Sequence, residues 1–291
     1  GTVHTSEYDV HDNAVKTADA NGSVVEATFD ALDRLIRKDI TPGPGVSDDT
    51  TFEDFKYDGL ARLIHAENDG SLVKREYDSL SHVVKERQTV AGYPETIVTS
   101  QYDGVGNLLV LGYPGGRIVE TSYDELNRKK LIRDQGDPGF VAEYFFKGPS
   151  RVERRDYGNN TRMEVGYDGA RRITRTRHTV VGATCAADAD CPSGNTCETE
   201  TQSCIIDDRT YQWDAMYNKT QRKDVRPNSL RLSHDYTYDA IYRLVQSVKS
   251  DPGAVLDTIV YELDGVGNRI RVTGSPGPGI YVMAPGAHVV S

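Results

Sequence analysis

Hydrophobic residues in this chain come in short runs. Leu63-Ile64-His65-Ala66 and Leu72-Val73-Lys74-Arg75-Glu76-Tyr77 are separated by Asn68-Asp69-Gly70. Asp-Gly between two strand-like runs is a strong hairpin signal. Pro114-Gly115-Gly116 stands in the same way between Leu108–Leu111 and Arg117–Tyr123. Asn21-Gly22, Gly158-Asn159 and Pro252-Gly253 mark further turns. Alternation within strands is imperfect: Ile118, Glu120 and Ser122 stand against Arg117, Val119 and Thr121. The turns are therefore better specified than the side each residue faces. Ala31 to Arg37 has a helix-like composition, but it occupies a place that reads as strand elsewhere, so strand is predicted there.

The turns recur with a signature. An aromatic residue and Asp are followed by any residue, an apolar residue, any residue, and then Arg or Asn. The copies are Tyr8-Asp9 with Asn13, Phe29-Asp30 with Arg34, and Tyr57-Asp58 with Arg62. Tyr77-Asp78 with His82, Tyr102-Asp103 with Asn107, and Tyr123-Asp124 with Arg128 continue the series. Tyr167-Asp168 with Arg172, Trp213-Asp214 with Asn218, and Tyr238-Asp239 with Arg243 follow. Leu263-Asp264 with Asn268 closes it, with Leu in the aromatic place. A degenerate copy is expected at Tyr144, where Phe145 replaces the Asp. Starts lie 20 to 28 residues apart, except that Tyr167 to Trp213 spans 46. A β-propeller blade needs about 40 residues and four strands, so this period suits one hairpin instead.

The residue types have physical reasons. Asp can accept backbone N–H bonds and fix a bend. The ring supplies apolar area, and stacking of successive rings as a ladder is expected. Arg at the sixth position can reach back to the Asp or on to carbonyls of the next copy. Asn can do the same while tolerating left-handed dihedrals.

Composition agrees with a thin layer. Only 37% of the residues are hydrophobic and 27% are charged, low and high for one compact globule. Seventeen tyrosines spread along the length argue against disorder. The formal charge of −10 disfavours nucleic acid and anionic membrane surfaces as partners. No apolar run reaches the ~18 residues that a membrane span needs, so no membrane insertion is expected.

All four cysteines, Cys185, Cys191, Cys197 and Cys204, fall in the long gap between Tyr167 and Trp213. Gaps of five, five and six residues do not give the tight pair of a zinc site. Two disulfides and an oxidising compartment are predicted, with three pairings open. The simplest account is one array over 1–291 in which the turn of one repeat carries a stapled insertion, 183–206. The fold class is all-β: tandem hairpins wound as a continuous curled or spiral sheet. About 22 strands at ~4.8 Å would extend roughly 100 Å, and an open sheet that long should curl.

The series from Tyr8-Asp9 to Leu263-Asp264 resembles the Rhs/YD-repeat family and covers nearly the whole chain. The resemblance implies a β-hairpin ribbon used as a shell in bacterial Rhs toxins and insecticidal toxin complexes, where it encloses an effector domain. Animal teneurins carry a similar ribbon in an adhesive extracellular region. The family usually has Gly at the fifth position. Gly106 and Gly267 fit, but Tyr217 and Tyr242 depart from it, and turn geometry is the open question in those two copies. The family's self-cleaving C-terminal segment has no match. Asp137-Pro138-Gly139-Phe140 and Asp251-Pro252-Gly253-Ala254 look similar but are expected to be ordinary turns. The Cys-rich stretch resembles short modules of secreted bacterial proteins.

Enzyme signatures are absent. There is no H-E-x-x-H and no G-x-S-x-G. Gly104-Val-Gly106 and Gly265-Val-Gly267 sit at repeat turns without the helix a phosphate loop needs. Asp188 and Asp190 are candidate calcium ligands, but a solvated loop is the preferred reading, and no cofactor or metal is expected. The expectation is a non-enzymatic, secreted or cell-surface bacterial protein: a wall, shell section or self-assembling fibre. Its partners would be neighbouring copies, further repeats or an enclosed effector domain. The alternative is an adhesion module in which Tyr, Asp and Asn bind carbohydrate or a protein.

Overall fold

The computed structural model describes residues 4–228, 231–274 and 281–282. The chain divides into two compact units, Gly1–Gly139 and Phe140–Ser291. Each is an antiparallel meander in which a strand pairs with the one before and the one after, as the tandem hairpins predict, but it is open and uncurled where the sequence predicts a curled or spiral sheet. In the first unit the meander runs from Thr5–Tyr8 and Ala14–Ala18 to Ile118–Tyr123 and Lys129–Asp134. In the second it runs from Ala142–Lys147 and Arg151–Tyr157 through Val255–Leu263 to Arg269–Thr273 and beyond. Ala31 to Arg37 forms a turn and the start of the strand Leu35–Thr41, as the repeat predicts.

Every motif aromatic is the last residue of a strand, and the Asp opens the turn that follows. Alternate turns of a meander fall on opposite edges. The aspartate corners therefore line one edge of each unit. The variable turns line the other, among them Asn68-Asp69-Gly70 and Asp251 to Ala254. The long gap resolves in the same way. Ile173–Thr184 pairs with Ser203–Trp213, and the cysteine insertion rises from the turn between them.

The corner is a type I turn closed by a left-handed residue, a standard short hairpin loop. At Asp58, the Ala61 N–H donates to Asp58 O at 3.0 Å and the Asp58 N–H to Arg62 O at 3.0 Å. The fifth position has positive φ whichever residue fills it: Asp33 (56°), Ala61 (60°), Ser81 (70°), Asn127 (57°) and Gly106 (90°). Tyr217 and Tyr242 both adopt 66°. The two copies that depart from Gly thus keep the same turn and accept the local cost of a Cβ there. The apolar fourth position lies at the corner tip and stays exposed, as at Leu32, Leu60 and Leu126.

A meander one layer thick has little interior. The buried apolar side chains are Ala142, Val165, Ile205 and the four cysteines, all in the second unit. In the first unit no described apolar side chain is buried. Its stability rests on half-buried cross-strand pairs. Replacing Tyr242 by Gly is expected to relieve the left-handed strain and raise stability by about 1 kcal/mol. Tyr217→Gly should gain less, because Arg172 lies over that ring at 5.3 Å. Urea unfolding of both variants checks the difference.

Candidate functional site

The feature that repeats with the same geometry is the corner itself. At Asp58 one carboxylate oxygen accepts the N–H groups of Leu60 (2.9 Å) and Arg62 (3.0 Å). The other accepts Arg62 Nε at 2.6 Å. Asp30 with Arg34, Asp124 with Arg128, Asp168 with Arg172, and Asp239 with Arg243 repeat this arrangement. Asn13, Asn107, Asn218 and Asn268 donate through Nδ2 to Asp9, Asp103, Asp214 and Asp264. His82 does so through Nδ1 to Asp78. These donors favour the charged form of the carboxylate. The Arg34 guanidinium holds Asp30 below the usual carboxylate range, and Asn107 does the same for Asp103. A carboxylate so engaged is a poor proton acceptor and serves as a clamp.

The sixth residue then reaches the next copy. Arg62 donates to Asp78 O at 2.9 Å and to Ser81 Oγ at 3.2 Å. Arg172 reaches Asp214 O, and Arg243 reaches Asp264 O. Asn107 donates to Asn127 Oδ1 at 3.0 Å. The next copy's aromatic answers: Tyr57 Oη donates to Leu35 O, Tyr77 Oη to Leu63 O, and Trp213 Nε1 to Ile173 O. In each case the acceptor directly follows the sixth residue. Tyr123, Tyr167 and Tyr238 follow the same rule.

The expected ring-on-ring ladder is replaced by another. Arg34 lies over the Tyr57 ring at 4.9 Å and Arg62 over Tyr77 at 4.7 Å, while His82 stacks on Tyr102 at 4.5 Å. The cation of one copy sits on the ring of the next, because the copies are two strands apart and the long sixth side chain fills that gap. The degenerate copy is also displaced. Tyr144 and Phe145 lie inside the strand Ala142–Lys147, and Phe146, opposite Val152 after a bulge, takes the place that Tyr57 has opposite Leu63. Arg151 takes the sixth place and lies over the Tyr167 ring at 5.4 Å. Counting back five residues from Arg151 to Phe146 would have found this register.

The insertion holds two disulfides, Cys185–Cys197 and Cys191–Cys204. Among the described residues the sulfurs of Cys185, Cys191 and Cys204 form the one cluster with metal-ligand proximity, and all three are taken up in the disulfides. Asp188 accepts the Cys197 N–H at 2.7 Å, and Asp190 accepts those of Ala186 and Ala187. Both carboxylates therefore brace the loop. Beneath it lies a buried acid that the repeat does not announce: Asp208, 1% exposed. Arg175 Nε donates to it at 2.7 Å, and Arg177 pairs with Glu198 beside it.

Three outcomes follow. Arg62→Lys keeps the charge but loses the fork that joins two copies, and should cost about 1 kcal/mol in urea unfolding. The corner aspartates have lowered pKa values when folded, so the stability they give is present above the unfolded pKa of about 3.9 and lost as pH falls through the folded values. Thermal melts followed by the single tryptophan should show a steep drop below about pH 4, and an unchanged melting temperature down to pH 3 would contradict the clamp. Replacing the Cys185 and Cys197 pair by alanine opens a 12-residue link and should cost about 3 kcal/mol, read by the melting of the second unit.

No family model matches the chain. No curated protein matches it. Solved structures do. A TcdB2-TccC3 complex has a TM-score of 0.71 at 14% identity, covering 94% of this chain and 15% of that one. The Photorhabdus luminescens Tc holotoxin pore gives 0.70 at 16% identity, covering 94% and 15%. A TcdB2-TccC3-Cdc42 complex gives 0.70 at 15% identity, covering 96% and 15%. The chain spans about 15% of the length of the chains it matches. At such identities the likeness is one of fold, and this chain has the hairpin-repeat fold of these Tc toxin structures.

Proposed function

We propose that the chain is a non-catalytic wall segment of an extracellular assembly, a section of a larger hairpin-repeat shell. The observation that carries this reading is a set of apolar side chains left uncovered on one face of the first unit. By register, Ile40, Phe55, Ala66, Val73, Leu111 and Val119 share one face, with the ion pairs Lys38–Glu53 and Arg75–Glu86 between them. All are half-buried, and nothing in the described unit covers them. The opposite face carries paired charges, such as Arg37 with Asp39 and Asp54. A single layer with apolar side chains open on one face suits a boundary between water and an enclosed polypeptide or a neighbouring wall section. The fold shared with the Tc toxin structures and the two disulfides agree with it. No helix among the described residues is long and apolar enough to cross a membrane.

Phe55→Glu together with Val73→Glu tests the reading. In a wall the pair should change stability by no more than about 1 kcal/mol, because the face is open in the isolated chain. Association with further copies, followed by sedimentation over about a hundredfold concentration range, should fall in the same variant. Loss of folding with the native chain monomeric throughout would overturn the proposal.

A further inference from the structure

The second unit carries two cations, on either side of an imidazole, that its fold does not neutralise. Arg222, His234 and Lys249 are direct cross-strand partners on three neighbouring strands, Lys219–Asp224, Ser233–Tyr238 and Leu244–Ser250. Direct partners lie about 5 Å apart and share a face of the sheet. Arg222 and Lys249 thus flank His234, and cations so placed disfavour a charge on its ring. Among the described residues neither Arg222 nor Lys249 has a carboxylate at ion-pair distance, in a protein whose formal charge is −10. The nearby acids are engaged or fall short. Asp235 is taken by Gln221 (2.7 Å) and Ser233 (2.8 Å). Asp257, opposite Lys249, keeps one buried carboxylate oxygen with no hydrogen-bond partner. Arg209, on the neighbouring strand, is held by Asp207 at 2.9 Å. All three members of the row are half-buried and open on one side.

Aromatic rings flank the row. Tyr236 lies parallel to the His234 ring, with centroids 6.4 Å apart. Tyr211 is the cross-strand partner of Arg222. Cations beside half-exposed rings are what a charged sugar needs: the rings take the pyranose face, and the cations take its ester oxyanion.

We propose that Arg222, His234 and Lys249 form a binding site for a tetrahedral oxyanion presented on a saccharide, a sulfated sugar. Two long cations flank the imidazole, and Tyr236 supplies the stacking surface beside Tyr211, whose ring has Lys219 Nζ over it at 5.0 Å. The site is separate from the corner clamps and independent of the wall reading. Burial, with Arg222, Lys249 and Arg209 nearby, disfavours the imidazolium, and Asp235 only partly offsets them. A bound anion reverses that balance, so His234 takes up a proton as the anion binds, and the binding strengthens as pH falls toward the imidazole range.

The test uses the full chain. Calorimetry compares a sulfated disaccharide, the same disaccharide without sulfate, inorganic sulfate and inorganic phosphate. The ring signals of His234 are followed by NMR through a pH titration. The sulfated sugar should bind more tightly than inorganic sulfate, and the unsulfated sugar should not bind. R222Q and K249Q should each weaken binding at least about fivefold, consistent with loss of one charge-assisted contact, without lowering the melting temperature. D257N should tighten it by removing a competing acid. The His234 titration should move upward with the sulfated sugar present. Absence of binding, equal binding by R222Q and K249Q, or an unmoved His234 titration would overturn the proposal. Inorganic sulfate or phosphate binding as tightly as the sulfated sugar would overturn its saccharide part.

Discussion

One carboxylate, used repeatedly, holds this molecule in order. A backbone that reverses direction in five residues leaves N–H groups facing inward with no strand to receive them. The corner Asp accepts two of them with one oxygen and leaves the other for the residue four positions on. That second bond fixes a long cationic or amide side chain where it can meet the following corner. The same acid thus closes a turn and sets the distance between turns.

Much else follows from this division of labour. Since each corner contacts the next, stability is shared between neighbours, as in other repeat proteins. A central hydrophobic core is not required, and no described apolar side chain of the first unit is buried. The second unit differs where a repeat has been opened by an insertion. There the short-range rule cannot act, and two disulfides with the buried Asp208 and its arginines hold the loop. Covalent links and a desolvated ion pair replace the hydrophobic packing that a thin layer lacks.

A single layer that leaves apolar and charged side chains open on its faces is also a functional arrangement. Its corner edge is regular, and its opposite edge tolerates turns of any length, including a stapled module. Such a ribbon can be extended, decorated and covered without change to the rule at its corners. Variation therefore collects on the free edge and on the faces. The cationic row of the second unit is one such variation: three residues of an otherwise ordinary sheet face whose neighbours leave them unneutralised.

The corners were legible in the amino-acid sequence because every contact that defines them spans at most four residues. The Tyr-Asp spacing, the Arg or Asn four positions after Asp, and the crowded cysteines each carry their own geometry. The tertiary structure decided whatever depends on strand register. It moved the weak copy from Tyr144 to Phe146, because a turn is located by pairing and not by the nearest aromatic. It showed that Tyr217 and Tyr242 hold the same left-handed backbone as Gly, since the clamp on either side outweighs the cost of a Cβ. It exchanged a ladder of rings for one of ring and guanidinium, because rings two strands apart are too distant to touch. It placed Arg222, His234 and Lys249 side by side, although 27 residues separate the first from the last. Short-range hydrogen bonds are written in the order of residues, whereas cross-strand neighbours are fixed only when turn lengths and bulges have set which residue lies opposite which.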